Sequence, residues 1–350
     1  MNSEKKSQHK VLFDKEKIVQ DLSNLIEYKL DLREDIDEDI YNVKKIHKDS
    51  FKNMVNLKNL EIRYGMKLDL DNPFSNHLIQ LESLTLCHNQ IENISENLFS
   101  SLTNLKLLNL SYCNIKSIEK KAFRNLINLE ELNLGYNKSF EMITAEFFDG
   151  LSKLKNLKIS NCGIKTIEHM TFACLNNIEH LEIWNNKIEV LRSNIFNGLS
   201  KIKNLDLESC FIRTIETDAF NGLVKLESLI LNKNRLEILS EGMFNGLDNL
   251  SKLSIIGSRI ISIKDNTFSN LECLETLNLS WNKIIKLDSN CFNGLINLKH
   301  LHLNTCGIQF IDNDTFLNLK SLEELELFGN SLKTPTEKLN GYNNIKNVKL

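Results

Sequence analysis

Leucine, isoleucine and phenylalanine recur along this chain in a fixed frame. In the window Leu274 to Asn297, LETLNLSWNKIIKLDSNCFNGLIN, apolar residues stand at Leu274, Leu277, Leu279, Ile284, Leu287, Phe292 and Leu295. That spacing sustains neither a helical period nor a long alternation. The following window repeats it through Leu301, Leu303, Ile308, Ile311, Phe316 and Leu319, and the preceding one through Leu253, Ile255, Ile260, Ile263, Phe268 and Leu271. The frame restarts at Leu57, Leu81, Leu105, Leu129, Leu154, Ile178, Ile202, Leu226, Leu250, Leu274, Leu298 and Leu322, in steps of 24 residues with one exception. Between Leu129 and Leu154 one extra residue sits in KSFEMITAEFF. Self-similarity at this period marks an array of stacked units that bury a continuous core only by packing on one another.

Within each unit the LxxLxL segment alternates inward and outward, as a strand does. The rest of the unit must carry the chain back to start the next strand beside the last, so the strands run parallel. The column Phe99, Phe123, Phe148, Phe172, Phe196, Phe220, Phe244, Phe268, Phe292 and Phe316 is expected to fill the interior on the return side. Residues 1–32 lie outside the frame; Ile18, Leu22, Leu25 and Ile26 share one face if helical, which suits an N-terminal capping segment. The repeat domain then spans 33–350, with a degenerate first unit at 33–56, regular units over 57–344 and a partial last unit at 345–350.

A second period runs inside the first. The ninth position of successive units reads Asn89, Cys113, Asn137, Cys162, Asn186, Cys210, Asn234, Ser258, Asn282, Cys306 and Asn330. An inward Asn amide there satisfies backbone donors and acceptors of the turn, and a small buried thiol occupies the same niche.

The consensus LxxLxLxxNxIxxIxxxxFxxLxxL resembles the typical leucine-rich repeat of Toll-like receptor ectodomains, Slit-type proteins and small proteoglycans. The resemblance implies an α/β fold, a curved horseshoe solenoid with a parallel sheet on its concave face, which holds a protein ligand or receptor partner. It implies a cell-surface or secreted recognition protein, non-catalytic and without a cofactor.

Composition bears on this in part. A net charge of −3 over 350 residues gives no electrostatic case for nucleic acid. The polar start MNSEKKSQHK has no apolar stretch of signal length behind it, and no run is long enough for a membrane-spanning helix. The eight cysteines contain no C-x-x-C pair. Those at the ninth position recur in every second unit, about 9 to 10 Å apart, too far for a disulfide. Extracellular members of that family usually close both ends with paired cysteines, so this pattern keeps open a cytoplasmic scaffold or regulatory subunit, or a segment of a longer chain that carries the signal and flanking parts. The sequons at Asn93, Asn109, Asn137, Asn249, Asn278 and Asn313 do not separate these readings.

The candidate chemistry lies on the outward strand positions and just past them. Tyr64, His88, Tyr112 and Tyr136 fall in one file; middle units add His180, Glu182, Trp184, Asp206 and Glu208; later ones add Ile230, Ile256 and Trp281. Aromatic residues beside carboxylates are the expected anchors for a protein ligand. His300 and His302 point the same way but lack an evident third metal ligand. The basic column Lys138, Lys187, Arg235 and Lys283 reads as a solvated edge, with a sulfated glycan as the less expected partner. No phosphate loop, nucleophile elbow or metalloprotease motif is present.

Overall fold

A computed structural model of the chain describes residues 26–31, 45–47, 51–64, 69–71, 74, 77–335 and 338–350. The chain forms two compact units, residues 1–164 and 165–350. In the first, the strands Glu27–Asp31, Asn59–Arg63, Ser83–Thr85, Leu107–Asn109, Glu131–Asn133 and Asn156–Lys158 pair in parallel in chain order. In the second, the order is His180–Glu182, Asn204–Asp206, Ser228–Ile230, Lys252–Ser254, Thr276–Asn278, His300–His302, Glu324–Glu326 and Asn347–Lys349. The register follows the frame: Leu84 lies opposite Leu108, and Leu277 opposite Leu301. Each 24-residue repeat is therefore one turn of a parallel-strand solenoid, as its period requires.

The residues Glu27–Asp31, placed by the sequence reading in the capping segment, are a strand paired with Asn59–Arg63. Tyr28 replaces the usual leucine at its inward position and is buried. Ile26 is 57% exposed, whereas Ile18, Leu22 and Leu25 of the expected capping helix lie outside the described residues.

Behind the sheet, the Leu and Ile positions are almost wholly buried and the Phe rings stack ring on ring. Phe196 and Phe220 are 5.9 Å apart at 2°, and Phe244 and Phe268 are 5.8 Å apart. Phe51 and Phe74 extend this column towards the N-terminus. The return side is not α-helical among the described residues. It runs through consecutive three-residue turns, such as Leu102 N–H to Phe99 O and Leu105 N–H to Leu102 O, both 3.0 Å, and two-residue strand pairs such as Val190–Leu191 with Thr214–Ile215. A 24-residue turn leaves too few residues for a helix. Gly198, at φ 101°, shows how tight the return is, since a Cβ there would meet Phe172 O at 2.3 Å.

The second period is a backbone alternation. The Asn234 side chain donates from Nδ2 to Leu207 O and Leu231 O, both at 2.9 Å. Its Oδ1 accepts the N–H groups of Cys210 at 3.1 Å and Ile212 at 3.0 Å in the preceding turn. Asn137, Asn282 and Asn330 accept the same two N–H groups from the Cys113, Ser258 and Cys306 turns. For both N–H groups to reach one oxygen, the residue between them turns left-handed: Asn114, Phe211, Arg259 and Gly307 have φ of 52°, 64°, 68° and 77°. This is the nest geometry of successive N–H groups around an anionic or carbonyl oxygen. The thiol meanwhile donates weakly back, Cys113 Sγ to Leu86 O at 2.9 Å. Asn137 is fully buried by this role, so its sequon lies where a glycan has no room.

Asn234→Ser leaves two buried N–H groups without their acceptor and should cost about 2 to 6 kcal/mol, at about 1 to 3 per orphaned donor. Cys210→Ser should stay within about 1 kcal/mol, because Ser258 already fills that niche with Oγ donating to Leu231 O at 2.8 Å. Urea denaturation of the two variants measures the contrast, and equal losses would refute the assigned roles.

All eight cysteines are free, and burial pushes the Cys113, Cys162 and Cys210 thiols up to about 12. An unfolded thiol ionises at about 8.5. The raised folded value stabilises the protein fully below that pH, and the contribution is lost as pH rises from there towards 12. At pH 8, iodoacetamide should label exposed Cys273 while the buried thiols stay unmodified until denaturant is added. Mass spectrometry after tryptic digestion reads the pattern.

Candidate functional site

The eighth position of each unit, just past the strand, is left-handed throughout: φ is 63° at Tyr64, 60° at His88, 57° at Tyr112, 63° at Tyr136, 54° at Lys233 and 61° at Trp281. The backbone there is held by the following turn. Tyr112 N–H donates to Gly135 O at 3.1 Å, and Trp281 N–H to Asn304 O at 2.8 Å. A left-handed residue repeated at strand spacing sends every side chain the same way at close to ring-stacking distance.

In the first unit this builds a four-ring ladder. Tyr64 and His88 lie 4.7 Å apart, His88 and Tyr112 4.4 Å, and Tyr112 and Tyr136 4.2 Å, with interplanar angles of 17° or less. The Tyr112 phenol is raised above its ordinary pKa, first by desolvation and then by its hydrogen bond to Tyr136. The rings present edges to solvent, because their faces cover one another.

Trp281 occupies the same position in the second unit with different neighbours. Gly257 precedes it in the file and Thr305 follows, so no ring stacks on either face, and the residue is 65% exposed. Nothing in the fold requires an indole there.

The acidic residues divide between structure and surface. Glu182 lies opposite Asp206, and Asp206 opposite Ile230. Asp206 Oδ1 accepts its own strand end, Glu208 N–H, at 2.8 Å; Asn109, Asn133 and Asn278 do the same for Ser111, Gly135 and Ser280 at 3.0 Å. Asp206 thus makes the same local turn as these asparagines. Burial raises its pKa, and the nearby Glu208 and Glu182 raise it further. Glu208 reaches outward to Lys233 Nζ at 2.7 Å.

His180 is exposed at the start of its strand, Trp184, Ile230 and Ile256 are half-buried on the sheet face, and Ile256 N–H donates to Asn232 Oδ1 at 2.8 Å. Glu182, Asp206 and Ile230 are therefore brought side by side. Trp184 and Trp281 are not, since four strand spacings put them about 19 Å apart.

The two histidines have a different role from metal binding. His302 Nδ1 lies 2.6 Å from Glu326 Oε2 and His300 Nδ1 3.2 Å from Glu324 Oε2, and Lys349 Nζ joins both glutamates at 2.7 Å. The lysine, ahead of His302 and Asn304, holds Glu326 down to about 2. Among the described residues no group of three or more His, Cys, Asp or Glu side chains is arranged to hold a metal ion. Nor is any helix among them long and apolar enough to cross a membrane.

Two features escape a repeat-by-repeat reading. Phe328 is 46% exposed on the sheet side, and Phe211 stands on the flank with the Arg235 guanidinium 4.3 Å from its ring centroid. The left-handed tenth position of the Cys units, visible only in the backbone, carries the second of these.

Fold and surface together define a repeat solenoid whose variable side chains lie on a sheet over an invariant core. A BspA-type leucine-rich repeat region matches residues 116–251 in six copies, and a second leucine-rich repeat profile matches 79–138, 224–284 and 282–332. The chain belongs to the leucine-rich repeat proteins.

No curated protein matches it significantly. Among solved structures it is similar to TLR13 in its complex with ssRNA13, at 25% identity and TM-score 0.64 over 93% of this chain and 58% of that one. It is similar also to Toll in the Drosophila Toll–Spatzle complex, at 20% and 0.65 over 84% and 43%. An internalin of Listeria monocytogenes matches at 20% and 0.64 over 99% and 94%. The chain thus spans about half the length of the Toll-type proteins.

The ladder and the lone indole should separate in a stability measurement. Tyr112→Ala breaks two ring contacts and should cost about 1 to 3 kcal/mol, at about 0.5 to 1.5 per stacked pair. Trp281→Ala should change stability by less than about 0.5 kcal/mol, as exposed substitutions do. Thermal unfolding of both variants tests this.

Proposed function

We propose that the protein is a non-catalytic recognition module that captures a protein partner on the open face of its parallel sheet, with Trp281 as an anchor in the second unit. The observation that carries the reading is the indole itself, 65% exposed and without a stacking neighbour in a file where the first unit stacks every ring. A large aromatic with two bare faces buries much area on contact at low entropic cost, which makes it a hot-spot type. His180, Glu182, Trp184, Glu208, Ile230 and Ile256 extend the candidate face in the second unit; Tyr112 and Tyr136 are candidates on the first unit taken by itself. The named partner Spatzle of the structurally similar Toll supports a protein ligand.

A cell-surface or secreted setting, which the family resemblance implies, is the first reading of location. A cytoplasmic scaffold or regulatory subunit is the second, favoured by eight free cysteines, since a reducing compartment keeps thiols unpaired. Expression of the tagged chain, followed by fractionation and glycosidase treatment, decides between them: glycans on exposed Asn93, Asn249 or Asn313 support the first, and unglycosylated cytosolic protein the second.

Proximity labelling and affinity capture with the wild type and with Trp281→Ala plus Glu208→Lys test the binding face. Asp206 is left intact because its carboxylate holds the local turn. Recovery of the captured protein is expected to fall at least tenfold in the variant, while thermal stability is kept. Undiminished capture would place the site elsewhere.

A further inference from the structure

On the flank of the second unit, away from the sheet face, a groove of about 510 Å³ is lined by Lys187, Arg192, Phe211 and Arg235, together with Val190 and Glu189. Its size is that of a small-ligand site. Among the described residues Lys187, Arg192 and Arg235 have no salt-bridge partner, whereas the groove's acid, Glu189, already has Arg213 at 3.8 Å. Three uncompensated cations in one concavity concentrate anions.

The backbone makes this arrangement. Phe211 is the tenth residue of a Cys turn, left-handed at φ 64°, where the Cys162 and Cys306 turns carry Gly163 and Gly307. A bulky residue there carries a conformational cost that glycine avoids. Flanking turns place Lys187 and Arg235 at the same position. Arg235 lies over the Phe211 ring, its Cζ 4.3 Å from the centroid, which restrains the guanidinium beside the groove. Lys187 and Arg235 start two strand spacings apart, about 9 to 10 Å, with the ring between them. One oxyanion suits one of these cations, and two oxyanions on a sugar-sized scaffold suit both.

A second flank groove of about 580 Å³ supplies the contrast. It too has an exposed ring, Phe310, and a lysine, Lys286, but that lysine is held by Asp288 at 2.7 Å and by Asp312 at 3.1 Å. There the lining lysine is spent within the protein, and the cation over the ring, Lys333, lies 5.4 Å from its centroid against 4.3 Å for Arg235.

We propose that the Lys187–Arg192–Phe211–Arg235 groove binds a compact ligand bearing two or more phosphate or sulfate groups on a sugar-sized ring, independently of the protein-binding face. The test is isothermal titration with sucrose octasulfate and with myo-inositol hexakisphosphate, against inorganic phosphate, at low and moderate salt. At least one of the two polyanions is expected to bind at one site per chain and at least tenfold more tightly than inorganic phosphate. Preference for the sulfated probe assigns a sulfated sugar, and preference for the inositol phosphate assigns a phosphorylated one.

Lys187→Glu with Arg192→Glu should weaken binding at least tenfold, and Phe211→Gly should weaken it without loss of thermal stability, because glycine suits the left-handed backbone. Lys286→Glu should leave binding unchanged. Failure of both probes to bind, persistence of binding in the double reversal, equal binding of inorganic phosphate, or an equal loss in Lys286→Glu would each overturn the proposal.

Discussion

The structure depends on a buried amide oxygen that serves two backbone donors of the neighbouring turn. Each strand ends by bending inward, and the bend leaves N–H groups in a dry interior, where an unmet donor costs about as much as a well-made hydrogen bond contributes, or more. Asn234 meets two of them through Oδ1 and two carbonyls through Nδ2. The alternating cysteine turn is the complement: its thiol makes only weak bonds, and its left-handed tenth residue aims both N–H groups at the next asparagine. Asparagine and cysteine at this position are two halves of one hydrogen-bonding unit.

Once every turn is bound in this way, strand spacing fixes what the surface can do. The residue past the strand is repeated at nearly the thickness of an aromatic ring, so rings in consecutive turns stack and a ring between small residues stands alone. Tyr112 and Trp281 occupy the same backbone position with the same sign of φ, yet one is covered on both faces and the other is bare. Which residues flank the aromatic in the file decides whether its faces are covered or open. On the flank the same logic puts Arg235 over Phe211, while the acidic neighbours of Lys286 keep its charge engaged.

The sites were less legible than the frame. The outward positions were readable from the alternation, but Asp206 was indistinguishable in sequence from a free carboxylate, and only its bond to Glu208 N–H shows the turn it holds. His300 and His302 point the same way from one strand with no third metal ligand evident in sequence, and the register sets each against a glutamate of the next strand. The basic column read as solvated, because Phe211 falls in the intervening Cys turn, outside the set of residues that carry Lys187 and Arg235.

What the sequence determined by itself is the core: a 24-residue frame of Leu, Ile and Phe, broken by a single extra residue, admits one stacked solution, since each turn buries its apolar face only against a copy of itself. It also determined the pairing of turns, through the alternation at the ninth position. Tertiary structure decided the left-handed backbone at the eighth and tenth positions, which follows from hydrogen bonds to neighbouring turns and leaves no composition signature when Tyr, Trp, Lys or Phe occupy it. It also decided which charges stay unpaired, because partners such as Lys286 and Asp312 stand 26 residues apart in the chain and become neighbours only when turns stack.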